Sequence, residues 1–102
     1  MQDSPKLRTN TKIARASLYV LHQFREYPEG TEFHFHNGWG FASVRPAGAY
    51  GARNADPFKK LGEVRCHQPE IDWLAKNGLL ETVDPPRAYL NVWRVSEKGR
   101  QV

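Results

Sequence analysis

The chain has 102 residues, which suits one domain with one modest core, and its 39% hydrophobic and 25% charged residues exclude a disordered composition. Fifteen Lys and Arg against eleven Asp and Glu leave a formal net charge of +4, which permits a nucleic-acid partner without requiring one. Residues 1–12 are polar, no apolar run approaches the ~18 residues of a membrane span, and a single cysteine, Cys66, excludes an internal disulfide, so the expectation is a cytoplasmic protein without a membrane partner.

Residues 1–8 read as a flexible N-terminal arm and 9–102 as one domain. Asn10 or Thr11 can cap a helix, because a short side-chain oxygen satisfies an orphan backbone N–H. Ile13, Ala16, Val20, Leu21 and Phe24 recur at helical spacing and predict a helix over about 11–26, ended by Pro28 and Gly30. Next, "TEFHFHNGWGFASV" predicts a β-hairpin with Asn37-Gly38 as a two-residue type I′ turn. That turn sets His36 opposite Trp39 and Phe33 opposite Ala42. Phe33, Phe35, Ala42 and Val44 then share a core face with Thr31, and His34, His36, Trp39 and Phe41 share the other. Residues 46–55 are rich in Gly, Ala and Pro and read as a loop. Asp56-Pro57 predicts a helix over 57–63, and Gln68-Pro69 begins another that stops at Asn77-Gly78. Two strands follow, around a proline-containing turn at Asp84 to Arg87, and "SEKGRQV" closes the chain.

Charge alternates in blocks. Lys6, Arg8, Lys12 and Arg15 make the start basic, Arg53, Lys59, Lys60 and Arg65 the middle, and Arg87, Arg94, Lys98 and Arg100 the end. Glu70, Asp72, Glu81 and Asp84 make residues 70–84 acidic. For any single charge the simplest role is a solvated surface.

The segment "EIDWLAKNGLLETVDPPRAYLNVWRVSEKGRQV", residues 70–102, resembles the second half of winged helix-turn-helix domains of the MarR and PadR type. "LAKNGLL" at Leu74 to Leu80 matches the end of the family's recognition helix, and "VSEKGR" at Val95 to Arg100 its closing segment. The match covers the last third of the chain. Residues 31–55 depart from it, with a full hairpin and long loop where the family has one short strand. The resemblance implies an α+β winged helix-turn-helix fold: three helices, a C-terminal wing hairpin, and here an extra β-hairpin after the first helix. It implies a recognition helix over Pro69 to Asn77, with Glu70, Asp72, Trp73 and Lys76 facing outward. It further implies a double-stranded DNA partner, a role in transcription regulation, and a homodimer, with no cofactor. Lys59, Lys60, Arg65, His67, Gln68, Lys76, Arg87 and Arg94 are then the expected nucleic-acid contacts, helped by Lys6 and Arg8 of the arm. Glu70 and Asp72 work against this reading, since a carboxylate beside phosphates subtracts from affinity. The competing expectation is a protein-interaction module on the same scaffold, such as an accessory or inhibitor protein of a phage or mobile element. Its contact surface is the aromatic hairpin face of His34, His36, Trp39 and Phe41.

Metal and enzyme chemistry are weaker readings. His34 and His36 share a strand face, but structural zinc takes four ligands in recognisable pairs, and Cys66-His67 supplies no Cys-x-x-Cys. Cys66 beside Arg65 and His67 could be an activated thiol, yet chain adjacency does not orient a base onto it, and a lone cysteine near a helix start is more often packing. The expectation is no metal site and no catalysis.

Overall fold

The computed structural model describes residues 10–51, 60–84 and 90–102. The first element is α1 (Lys12–Phe24). Thr11 is its N-cap, and its Oγ1 accepts a hydrogen bond from the Ala14 N–H at 3.2 Å. The buried stripe is Ala14, Ser17, Val20, Leu21 and Phe24. Ile13, expected in that stripe, is instead 36% exposed. The stripe is shifted by one residue at its start, onto Ala14 and Ser17.

β1 (Glu32–His36) and β2 (Phe41–Arg45) form the expected hairpin, with a different turn. His36 pairs with Phe41, Phe35 with Ala42 and Phe33 with Val44, so the connection is four residues, Asn37 to Gly40, rather than two. The Trp39 N–H donates to the His36 carbonyl at 3.0 Å, and Gly38 takes φ of +90°. This is the pattern of a type II turn, where only the third position needs positive φ; Asn37 does not adopt the positive φ of a type I′ turn. A register shift of two residues preserves parity. Phe33, Phe35, Ala42 and Val44 are therefore buried on one face as expected, while Trp39 leaves its face for the loop tip.

β3 (Gly62–Arg65) corrects the helix expected over 57–63: residues 62 and 63 are strand, and 57–59 lie outside the described residues. Pairing with β2 supplies the backbone partners. Val64 lies opposite Ala42, the Leu61 N–H donates to Val44 at 2.7 Å, and the Cys66 N–H donates to Gly40 at 3.1 Å. Leu61, which an apolar helix side there would bury, is 50% exposed.

α2 (Gln68–Lys76) follows directly, then β4 (Leu80–Asp84), β5 (Leu90–Val95) and α3 (Glu97–Gln101). The fold is α+β, with three helices and one antiparallel sheet of order β3-β2-β1-β5-β4 among the described residues. The C-terminal hairpin β4–β5 and the extra hairpin after α1 are both present. α1 and α2 cover one sheet face. The core joins Val20, Leu21 and Phe24 to Ile71 and Leu74, over Phe33, Phe35, Val44, Val64, Trp93 and Val95. Phe24 stacks on Phe33 with ring centroids 3.9 Å apart. Trp73 packs partly buried against this core. Among the described residues no helix is long and apolar enough to cross a membrane.

Candidate functional site

The β3–α2 corner brings together side chains that are far apart in the chain. Glu70 reaches back so that its Oε1 accepts the His67 N–H at 2.8 Å, which satisfies an orphan donor at the start of α2 and fixes His67 at the corner. Opposite it, Gly40 has φ of +77°, and a Cβ there would stand 3.2 Å from His67 Nε2. The imidazole therefore rests against the Asn37–Gly40 loop while its side chain stays 64% exposed.

Four adjacent hollows share His67 in their walls. The largest, about 610 Å³, runs between the starts of α1 and α2 and is lined by Lys12, Ile13, Ala16, Pro69 and Glu70. A second continues along α1 past Ala16, Tyr19 and Gln23 to Arg65. The other two flank Trp39. Trp39 is 75% exposed and Tyr19 67%, the two most exposed large hydrophobic residues among those described. An aromatic pair, an aliphatic side chain and an imidazole thus border one continuous set of grooves.

The charge there is uneven. Glu63 pairs with Lys60, and the Glu70 carboxylate is turned onto the helix start. Lys12 and Arg65 form no ion pair among the described residues. The surface can therefore offer stacking, apolar contact and cationic hydrogen-bond donors together.

The expected DNA contacts divide. Arg65, His67 and Gln68 lie together at the corner, although the Gln68 amide donates to Asp72 at 2.6 Å. Lys60 is paired with Glu63 and stands 5.5 Å over the Phe41 ring. Lys76 is at the far end of α2. Arg94 lies on β5, separated from β3 by β1 and β2, donates to Glu81 at 2.6 Å, and shares a hollow with Glu29 and Glu97. Lys59, Arg87, Lys6 and Arg8 lie outside the described residues.

The aromatic hairpin face divides too. His34, His36 and Phe41 are half-buried on the sheet face away from α1 and α2, whereas Trp39 stands at the loop tip. His34 Nε2 is 3.0 Å from Glu32 Oε1, and His36 Nε2 is 3.2 Å from Ser43 Oγ. His36 stacks on Phe41 at 4.9 Å. Burial holds the His36 pKa below its ordinary value, assisted by the neighbouring His34, Lys60 and Arg45. Among the described residues no group of three or more His, Cys, Asp or Glu is placed to hold a metal ion. Cys66 is fully buried, and burial, with the Glu70 charge, pushes its thiol up to about 12, which keeps it protonated and inert at neutral pH.

Tyr19 and Ile13 are the surface residues that reading the sequence missed, Ile13 because its spacing puts it in the buried stripe. Tyr19 did leave a signal: it is a large aromatic lying off the apolar stripe of an otherwise amphipathic helix. Comparison of the chain with protein-family models, with curated proteins and with solved structures found no match.

Proposed function

We propose that this protein is a protein-interaction module whose contact surface is Trp39 with Tyr19, Ile13, His67 and Arg65. The observation that carries the reading is Trp39. A tryptophan 75% exposed, on a short loop shaped by two positive-φ glycines and seated against His67, is a costly residue to leave in water. Aromatic side chains with arginine at a central patch are the usual anchors of protein interfaces. The outward side of α2 favours the same conclusion, since it carries the exposed carboxylate of Asp72.

Affinity purification with the intact chain, compared with Trp39→Ala, tests this. The expected result is one stoichiometric partner retained by the native chain and lost with Trp39→Ala, at an unchanged melting temperature. Unfolding of Trp39→Ala, or retention of the same partner by it, overturns the assignment.

A second reading, double-stranded DNA binding on a winged-helix scaffold, is favoured by one topological observation: β5 lies between β1 and β4, and α2 leads straight into the β4–β5 hairpin. That arrangement suits a recognition helix followed by a wing. In this reading Arg65, His67 and Gln68 are the contacts at the start of α2. Salt-dependent polarisation with a duplex probe separates the two readings. Duplex binding at about 50 mM salt that weakens steeply by about 200 mM supports DNA, and its absence leaves the protein partner.

A further inference from the structure

We infer that the groove along α1 takes an extended acidic segment of the partner protein, an inference that rests on the protein-interaction reading above. The groove has a direction. Its wall on α1 runs from Lys12 through Ile13, Ala16 and Tyr19 to Gln23, and its opposite wall is His67, Glu70 and Arg65. Eleven helical steps make it ~17 Å long at 1.5 Å each, which is the span of about five residues of extended chain. Ala16 borders both hollows, and its single methyl leaves the floor open between them.

The charge left to a ligand selects the occupant. Among the described residues two carboxylates border this surface, and both are hydrogen-bonded within the protein: Glu70 accepts the His67 N–H and Glu63 pairs with Lys60. Lys12 stands at one end of the groove and Arg65 at the other, each without an ion-pair partner among the described residues. His67 stands between them, its imidazole 64% exposed. An occupant with carboxylates near both ends and apolar side chains over Ile13, Ala16 and Tyr19 satisfies every one of these groups. A neutral or basic segment would leave both cations without a counter-charge, and complementary potentials of this kind set partner choice more than raw affinity.

Fluorescence anisotropy on the full chain tests the assignment, with a fluorescein-labelled peptide of alternating glutamate and leucine as the probe. Serine-leucine and lysine-leucine peptides and a labelled oligothymidylate serve as comparisons. The acidic peptide is expected to bind at least about tenfold more tightly than the serine peptide. Lys12→Ala and Arg65→Ala are each expected to weaken it by about fivefold or more. Ala16→Leu, which fills the floor while keeping a strong helix former, is expected to abolish binding at an unchanged melting temperature. Equal affinity for the serine peptide overturns the inference. So does binding of the oligothymidylate in place of the peptide, or a dimer in sedimentation that Ala16→Leu dissociates. If the acidic peptide fails while Trp39→Ala still releases the partner, the acidic assignment falls and the interaction surface stands. If Trp39→Ala also releases nothing, the surface itself falls.

Discussion

Gly40 sets the geometry of the corner although it contributes no side chain. Its left-handed φ and the missing Cβ let the His67 ring come against the Asn37–Gly40 loop, so one residue joins two segments 27 positions apart. Nothing in the string "NGWG" indicates that closeness, because it depends on where α2 begins. His36, by contrast, carries a consequence that can be measured. Burial and neighbouring positive groups lower its pKa, so the folded protein resists protonating it while the unfolded chain does not. Between the ordinary value of 6.5 and its lowered value, the unfolded state binds more protons, and stability must fall as pH falls through that window. Urea midpoints at about pH 7.5 and about pH 5.5 should therefore drop with acid in the native chain. His36→Gln, which keeps a hydrogen-bonding group for Ser43 but cannot titrate, should lose part of that drop. An identical drop in both proteins would assign the acid sensitivity to other groups.

Helices α1 and α2 are the elements that local chemistry writes most clearly. The Asn77-Gly78 stop becomes a Schellman end, with the Leu79 N–H on Leu74 at 2.8 Å, the Gly78 N–H on Ala75 at 3.0 Å and Gly78 at φ of +74°. The hairpin faces were legible for a different reason: parity survives a two-residue slip, so the core side of β1 and β2 was correct while the turn was not. β3 was not legible. Four residues pair with β2 across a long connection, and the Asp-Pro pair that suggested a helix is local information only. The two stretches that carried the family resemblance turn out to hold each other. Ser96 Oγ donates to the Gly78 carbonyl at 2.5 Å, and the Ser96 N–H donates to Leu79 at 3.1 Å. The Arg100 guanidinium donates to the carbonyls of Tyr27 and Pro28, at 3.1 and 3.0 Å, beyond the end of α1. Gly99 lies so close to the Leu79 carbonyl that any Cβ would overlap it, and Val95 Cγ1 would be 2.9 Å away. Gly99→Ala gains helix propensity, yet the backbone of Leu79 cannot yield as a flexible side chain would. The variant should lose about 2–3 kcal/mol, the range of overpacking in a fixed environment. Chemical denaturation checks this, and a loss under about 0.5 kcal/mol, the range of a neutral surface change, would mean that α3 simply shifts away from β4.

At the scale of the whole molecule, the sheet has two faces and its helices α1 and α2 cover only one. On the other, the chain after β2 crosses β1, where a buried carboxylate holds it. Glu32 is 3% exposed; it accepts the Gly48 N–H at 2.9 Å and the Tyr50 N–H at 2.8 Å, and His34 Nε2 lies 3.0 Å from it. Tyr50 carries the crossing further, its hydroxyl donating to Asp84 on β4 at 2.6 Å, so the strap spans from β2 to the far edge of the sheet. A carboxylate this buried persists because each oxygen is hydrogen-bonded. Its loss would leave two backbone donors and a histidine without their acceptor, groups that cost about 1–3 kcal/mol each when fully buried and less when partly so. Glu32→Ala should thus destabilise the protein by about 2 kcal/mol or more. The more specific signature is local. Amide exchange at Gly48 and Tyr50 should quicken by at least about tenfold beyond the change at Phe33 and Phe35, because the strap opens without opening the core. The surface proposed at Trp39 and His67 lies at the hairpin tip and on the helical side, away from this strap, so under that proposal the acidic peptide should bind Glu32→Ala as tightly as the native chain. Uniform acceleration across all four amides, or loss of peptide binding, would show that the strap and the core open as one unit and that the two faces of the sheet are energetically coupled.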